Sequence, residues 1–188
     1  MNNKHYTAIG SVISVLIFST ALLAGCSYTA MPSNVPRMAG YDEHSLKNIS
    51  VIVKNAEENA LTEEILTDQG KPSGFQANRR LWSKKLVESL AAELARRGAS
   101  VRSNAPVTMS IAVPEITMLQ PTNHYQFKVK VLAVSSTGWL KTYEGVAGGD
   151  IYGVWSVTAA AAQWSGQALA EAIKAMMNDR EFLAALGT

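Results

Sequence analysis

The sequence predicts an α+β fold: an antiparallel or mixed sheet of about four to five strands, backed on one face by two long helices. Three observations predict it. Apolar and polar residues alternate along 107–113 and 125–133, the period of a half-buried strand. Apolar residues recur at helical spacing along 81–97 and again along 157–177. The element order, strand, irregular segment, helix, three or four strands, helix and small helix, is satisfied by such a sheet with helices packed on one face.

Taken in order, Leu46 to Val53 reads as the first strand, with Ile49, Val51 and Val53 on one face and Ile52 on the other. Apolar residues on both faces suit a strand that is covered on both sides. Residues 55–78 are less regular: a short helix is expected over Glu57–Leu66, then a turn-rich loop, Asp-Gln-Gly-Lys-Pro-Ser-Gly, over 68–74. From Leu81 to Arg97 the positions Leu81, Trp82, Leu86, Val87, Leu90, Ala91 and Leu94 form a helical stripe. Gly98 follows as a natural C′ residue, and Arg96 and Arg97 sit where cations suit the helix dipole, at a solvated helix edge. A strand then runs from Val107 to a stop near Pro114. Tyr125, Phe127, Val129, Val131 and Ala133 alternate with Gln126, Lys128 and Lys130, and Ser135-Ser136-Thr137-Gly138 turns the chain into a partner strand over Trp139–Val146. Gly145 to Gly153 is expected as a flexible aromatic-rich connection or a bent last strand. The second long helix spans about Val157 to Met177, with Trp164, Ala168, Leu169, Ala172, Ile173 and Met176 as its buried set. A short helix over Asp179–Leu186 presents Phe182, Leu183 and Leu186.

Ahead of this body lies a segment of another kind. Met1 to Thr7 is polar with Lys4 as its formal cation, Ala8 to Ala24 is uncharged and mostly apolar, and the run ends in Leu23-Ala24-Gly25-Cys26. The apolar run is at the short limit for crossing a hydrocarbon core of about 30 Å. Its three-part layout is that of a secretory signal peptide. Leu23-Ala24-Gly25-Cys26 resembles the bacterial lipobox, in which small residues fit a narrow protease site and the cysteine thiol is lipidated before cleavage. The resemblance implies a covalent diacylglycerol and an N-acyl chain on Cys26, with no other cofactor. Two or more acyl chains hold firmly where one holds reversibly. Cys26 is the only cysteine, so no disulfide competes for it. By the sorting rule of enteric-type bacteria, Ser27 in place of Asp points to the outer membrane. The expected organisation is therefore 1–25 leader, 26–45 lipidated cysteine and flexible tether, and 46–188 a single periplasmic domain. Nineteen tether residues with two prolines and no periodicity would reach up to about 60 Å when extended.

Loss of Lys4 with the leader takes the net charge from +2 to near +1. The short basic pairs Arg79-Arg80, Lys84-Lys85 and Arg96-Arg97 lie on a helix, so nucleic acid is not an expected partner. The expected partners are the bacterial membrane and an envelope protein or a second copy of the chain.

The layout also resembles the YajG-like family of bacterial lipoproteins. The matching stretches are Leu86 to Val101 with its Ala-Arg-Arg-Gly ending, Asn-Ala-Pro-Val over Asn104–Val107, and Asp179-Arg180-Glu181-Phe182. The resemblance spans roughly 46–185. It implies a small α+β domain behind a lipobox and carries no catalytic residues.

The residues offer few parts for catalysis. His44 and His124 are the histidines left after cleavage, and with Cys26 lipidated no Cys/His pair or zinc cluster can be assembled. His124 is a conceivable base for a serine, but no G-x-S-x-G elbow is present. Glu57-Glu58 and Glu63-Glu64 are adjacent pairs, which do not face each other on a helix. Gly145-x-x-Gly148-Gly149 lacks the Lys and Ser/Thr of a phosphate-binding loop, so no nucleotide is expected. Of the four tryptophans, Trp82 and Trp164 fall on apolar helix faces. Trp139 and Trp155, with Tyr143 and Tyr152, are the candidate contact patch, since aromatic residues concentrate in interface cores. The expected function is a non-enzymatic envelope lipoprotein that presents a small domain for protein contacts. The alternatives are a self-assembling structural subunit and a lipid- or peptidoglycan-binding module using the aromatic patch.

Overall fold

Eight strands and three helices make up the described part of the computed structural model, which covers residues 27–39, 45–119, 124–150 and 157–187. In chain order they are β1 (Tyr28–Thr29), β2 (Ser50–Asn55), β3 (Thr62–Thr67), β4 (Pro72–Asn78), α1 (Arg79–Arg96), β5 (Ser100–Val101), β6 (Val107–Leu119), β7 (His124–Ser135), β8 (Leu140–Asp150), α2 (Val157–Met177) and α3 (Arg180–Ala185). The fold is mixed α+β, with more strands than the four to five expected.

The long strand β6 organises the sheet. One edge pairs antiparallel with β7 over most of its length, and β7 pairs antiparallel with β8 from His124↔Asp150 to Val134↔Leu140. The other edge is shared. β2 runs parallel to residues 107–111 of β6, and β3 runs parallel to Thr117 and Met118. β4 extends the sheet beyond β3, and β1 adds to β4 in parallel. Phe127, Val129, Val131 and Ala133 of β7 point inward and are wholly buried, while Lys128, Lys130 and Leu132 point to the other face. The expected alternation therefore places its apolar side in the core. One long helix, α2, backs the sheet on this inner face, not the two expected. α2 covers β7 and β8, and α1 touches β2 and the first half of β6.

Three local expectations are corrected. Residues 62–67 form a strand and not the end of a helix over 57–66. Thr62-Glu63-Glu64-Ile65-Leu66-Thr67 buries Ile65 and Thr67 and exposes the residues around them, and antiparallel pairing with β4 satisfies its backbone. The loop expected over 68–74 is a tight turn followed directly by β4. β6 does not stop at Pro114. Its register shifts between Ala112 and Glu115, and such a bulge is where a strand tolerates a residue with no N–H.

α1 begins at the last residue of β4, where Asn78 caps the helix by accepting the Leu81 N–H at 3.2 Å. At its other end Gly98 takes φ +93°, and the Ala99 N–H reaches back to the Leu94 carbonyl at 3.0 Å, the closing bond of a Schellman turn. Arg97 is not at a wet edge. It is buried, with Nε donating to Glu93 Oε1 at 2.8 Å, while Arg96 binds both Glu93 oxygens.

Close helix–sheet approach occurs at Gly145. A Cβ there would meet the Ala168 carbonyl oxygen at 1.9 Å and the Ala172 nitrogen at 2.7 Å. Gly149 likewise lies under the Trp164 ring. The glycines of 145–149 thus belong to a straight continuation of β8 on which α2 sits backbone to backbone.

Candidate functional site

The residues that follow the lipobox are built into the fold. Tyr28 pairs with Phe75 and Thr29 with Gln76. The Ala30 N–H donates to the Gln76 carbonyl at 2.8 Å, and the buried Ala30 carbonyl accepts from Trp82 Nε1 at 2.9 Å. Further along, Ser33 donates from N and Oγ to the Ala162 carbonyl, and the Asn34 backbone packs so tightly on α2 that a Cβ on Gly166 would meet it at 2.2 Å. Arg96 Nη2 holds the Met38 carbonyl at 3.1 Å. Residues 27–39 are therefore docked along the sheet edge and both long helices, which corrects the expectation of a free tether over 26–45. Composition suggested a linker because a docked irregular segment has no periodicity. Its partners here are backbone and side-chain groups of distant elements. Ser27 is exposed at the start of this segment. Leu23, Ala24, Gly25 and Cys26 lie outside the described residues.

The aromatic patch does not assemble as expected. Tyr143 is buried, with its ring edge-on to Phe182 of α3 at 6.2 Å, and Trp139 packs on the other side of Phe182 at 6.0 Å. The Tyr143 hydroxyl donates to Asp179 Oδ2 at 2.5 Å, and Lys141 reaches Asp179 at 2.9 Å and Glu181 at 2.7 Å. Burial and the Asp179 carboxylate push the Tyr143 hydroxyl far up from its ordinary value. Burial alone would raise Asp179, but hydrogen bonds from Tyr143, Lys141 and the Glu181 N–H outweigh it and hold the carboxyl below its usual range. Tyr143 fastens α3 to the hairpin from within the core, and the half-buried Trp139 packs beside it. Tyr152 and Trp155 lie outside the described residues.

A gap in the sheet is the feature that residue patterns did not reveal. Between the ends of β2 and β3, residues 112–116 of β6 have no strand on that edge. The first turn of α1 fills the gap. The Val113 N–H donates to the buried Ser83 hydroxyl at 2.9 Å, Pro114 has no N–H, and the Pro114 carbonyl accepts from Arg79 Nη1 at 3.0 Å. Arg79 also pairs with Glu63 at 2.8 Å and approaches Glu57 at 3.8 Å. On the outer face a groove of about 520 Å³ follows this seam, bordered by Leu66, Arg79, Glu115, Leu119 and Lys128. No helix covers this outer face among the described residues. Across it run ion pairs, Lys130–Glu115 at 2.6 Å and Lys128–Glu144 at 3.0 Å, and beside them the apolar side chains Leu132, Val134 and Leu140, the last 65% exposed.

His124 stands at the exposed start of β7. Its Nδ1 lies 2.9 Å from Asp150 Oδ1 and its Nε2 lies 3.1 Å from the Gln126 amide nitrogen. Both ring nitrogens thus have a neighbour, the Asp150 carboxylate on one side and the Gln126 amide on the other. A carboxylate is therefore present, but the nitrogen that a base would use is already occupied, and by an amide rather than a serine. Among the described residues no group of three or more His, Cys, Asp or Glu is placed to hold a metal.

No family model and no curated protein matches the chain, and the YajG-like assignment remains a resemblance. Among solved structures, the chain is similar to protein XCC0632 from Xanthomonas campestris, of the DUF330 family. The TM-score is 0.50 at 13% identity, covering 80% of this chain and 91% of that one. A "putative lipoprotein" from Caulobacter crescentus CB15 matches at TM-score 0.41 and 18% identity, over 57% of this chain and 85% of that one. The first likeness establishes a shared fold. No described helix is long and apolar enough to cross a membrane.

Proposed function

We propose that this chain is a non-enzymatic outer-membrane lipoprotein that holds its α+β body against the periplasmic leaflet and offers the uncovered sheet face to another envelope protein. The observation that carries the reading is the join between leader and body: Cys26 of the lipobox is followed, two residues on, by a residue already paired in the sheet. A lipid placed on Cys26 fixes the body near the membrane. The outer face supports a contact role, because exposed Leu140 and its neighbours Val134 and Leu132 lie among ion-paired strands with no described element packed over them. The occupied ring nitrogens of His124 favour contact over catalysis at that site.

Cys26→Ala tests the anchor. The variant is expected to lose acyl label and to leave the membrane fraction. A Cys26→Ala protein that still sediments with outer membranes would refute the lipid-anchor reading. Photocrosslinkers at Leu140 and Thr142, on the outer face, are expected to capture one discrete envelope protein. Crosslinks confined to a second copy of the chain would favour self-association instead, for which the β8 edge is suited: among the described residues β8 pairs only with β7.

A further inference from the structure

The route by which the chain enters the sheet determines which end of the body meets the lipid. β1 is parallel to β4, with Tyr28 beside Phe75 and Thr29 beside Gln76. Ser27, just before Tyr28, therefore lies toward the beginning of β4, on the side of the β3–β4 turn. Cys26 lies two positions before Tyr28, with Ser27 between them, which allows about 7 Å of reach. There is no slack further along, because Ala30 is held by Gln76 and Trp82, Ser33 by Ala162 and Met38 by Arg96.

The β3–β4 turn has fixed neighbours. Leu66 pairs with Thr117, and the Asp68 N–H donates to the Met118 carbonyl at 3.2 Å, so the turn sits at the far end of β6. That end of β6 is beside the start of β7, through Leu119↔Gln126, and the start of β7 is beside the end of β8, through His124↔Asp150. The opposite end of the same strands carries the Ser135–Trp139 turn and the residues that lead into β6, such as Ser103. β7 runs between the two ends for 12 residues, or about 40 Å at the rise of a strand.

We infer that the body stands on the bilayer by the end that contains the β3–β4 turn, the end of β6 and the start of β7, with the β7–β8 turn pointing away from the lipid. The inference rests on the lipid anchor proposed above, and the surface it takes is a phospholipid headgroup layer. The standing end carries both signs of charge, with Asp68 and Lys71 on the turn and Asp150 beside His124, so the attachment point sets the pose without a need for anionic lipid. Leu66, 45% exposed, and the mouth of the outer groove lie at this end, whereas Leu132, Val134 and Leu140 lie toward the distal end, clear of the membrane.

Because lipidation takes up the single thiol, one new cysteine can be labelled at a time in the full-length lipidated protein. Gln69→Cys, on the proximal turn, is compared with Leu140→Cys and Ser103→Cys, both exposed and distal. The labelled proteins are reconstituted in phosphatidylethanolamine/phosphatidylglycerol vesicles that carry a headgroup energy-transfer acceptor. Transfer from Gln69→Cys is expected to exceed that from either distal site at least about twofold, given strands of about 40 Å between the ends. Equal transfer at all three positions, or greater transfer from a distal site, overturns the orientation. Flotation separates this failure from that of the anchor: a protein that floats with the vesicles but shows no difference refutes the pose alone. One that fails to float refutes the anchor and the pose together.

Discussion

The two halves of the sheet are held by different means. In the C-terminal half, β6, β7 and β8 pair as a continuous antiparallel meander, and α2 packs on it at backbone contact over Gly145, Ala168 and Ala172. In the N-terminal half the strands are short and partly parallel, and the sheet opens between β2 and β3. Side chains from α1 close that opening. Ser83 takes the Val113 N–H, Arg79 takes the Pro114 carbonyl, Trp82 takes the Ala30 carbonyl, and the Glu93–Arg96–Arg97 cluster ties the Met38 carbonyl to the end of the helix. Shape complementarity secures one half and directed hydrogen bonds secure the other. The difference teaches that the half that contains β1 depends on individual polar side chains, and removing Ser83 or Trp82 leaves a buried group unpaired.

The largest effect is expected at Glu93. It is buried against Arg97, itself buried, and hydrogen-bonded to Arg96. Glu93→Gln removes the negative charge beside a buried guanidinium, and breaking a buried pair on one side costs about 3–5 kcal/mol. Chemical denaturation should show that loss, and hydrogen exchange should locate it in α1 and residues 28–38 rather than in α2. Equal loosening of both halves would mean that they are a single cooperative unit and that the contrast has no energetic content.

Gly145→Ala probes the other half. The new Cβ would lie 1.9 Å from the Ala168 oxygen, so α2 must lift from β8. Overpacking of this kind costs about 1–3 kcal/mol, and the upper end is expected because the neighbour is backbone. Exchange should accelerate in α2 and β8 while the Trp82 indole stays protected. A smaller loss is expected for Ser83→Ala, which leaves the Val113 N–H inside the seam without an acceptor at a cost of about 1–3 kcal/mol. If Ser83→Ala is neutral in urea denaturation, the gap is not closed by this bond.

The same contrast explains what could be read from residues alone. β7 and the hairpin were legible because each has one face in the core and one in water, which writes a period of two into 125–133. α1 and α2 were legible for the corresponding helical reason. β3 was not, since Glu63 and Glu64 beside Ile65 and Leu66 suit a helix as well as an edge-like strand whose partner lies beyond a turn. β4 was obscured by Pro72 and Gly74, residues rare inside strands. β1 consists of Tyr28 and Thr29, and nothing local to them signals a parallel partner near Phe75. The aromatic residues of the hairpin were visible as a cluster, but their burial under Phe182 depends on where α3 folds back. The gap along β6 was half visible: Pro114 announced an interruption, and only the fold shows that the strand continues past it.

Acid separates the halves most gently: Glu93 in one half, and Asp179 and the surface carboxylate Glu115 in the other, are held below their usual range. Burial opposes the charge of Glu93, and the bonds from Arg96 and Arg97 overcome it. Burial likewise opposes Asp179, and Tyr143, Lys141 and the Glu181 N–H overcome it. A carboxyl lowered in the folded state contributes stability that is present above its unfolded value, about 4.3 for Glu and 3.9 for Asp. That contribution disappears as pH falls toward the folded value. Stability should therefore be level from neutral pH to about 5 and decline below it, with a slope of up to about 1.4 kcal/mol per pH unit for each proton taken up. Asp179→Asn keeps the helix cap, since Asn caps as well as Asp, and removes one titrating group. It should flatten the acid slope and loosen α3 around Phe182 without changing exchange in α1. An unchanged slope would show that the Tyr143–Asp179 bond does not contribute to the acid sensitivity of the C-terminal half, leaving Glu93 and Glu115 as the carboxylates whose protonation sets it.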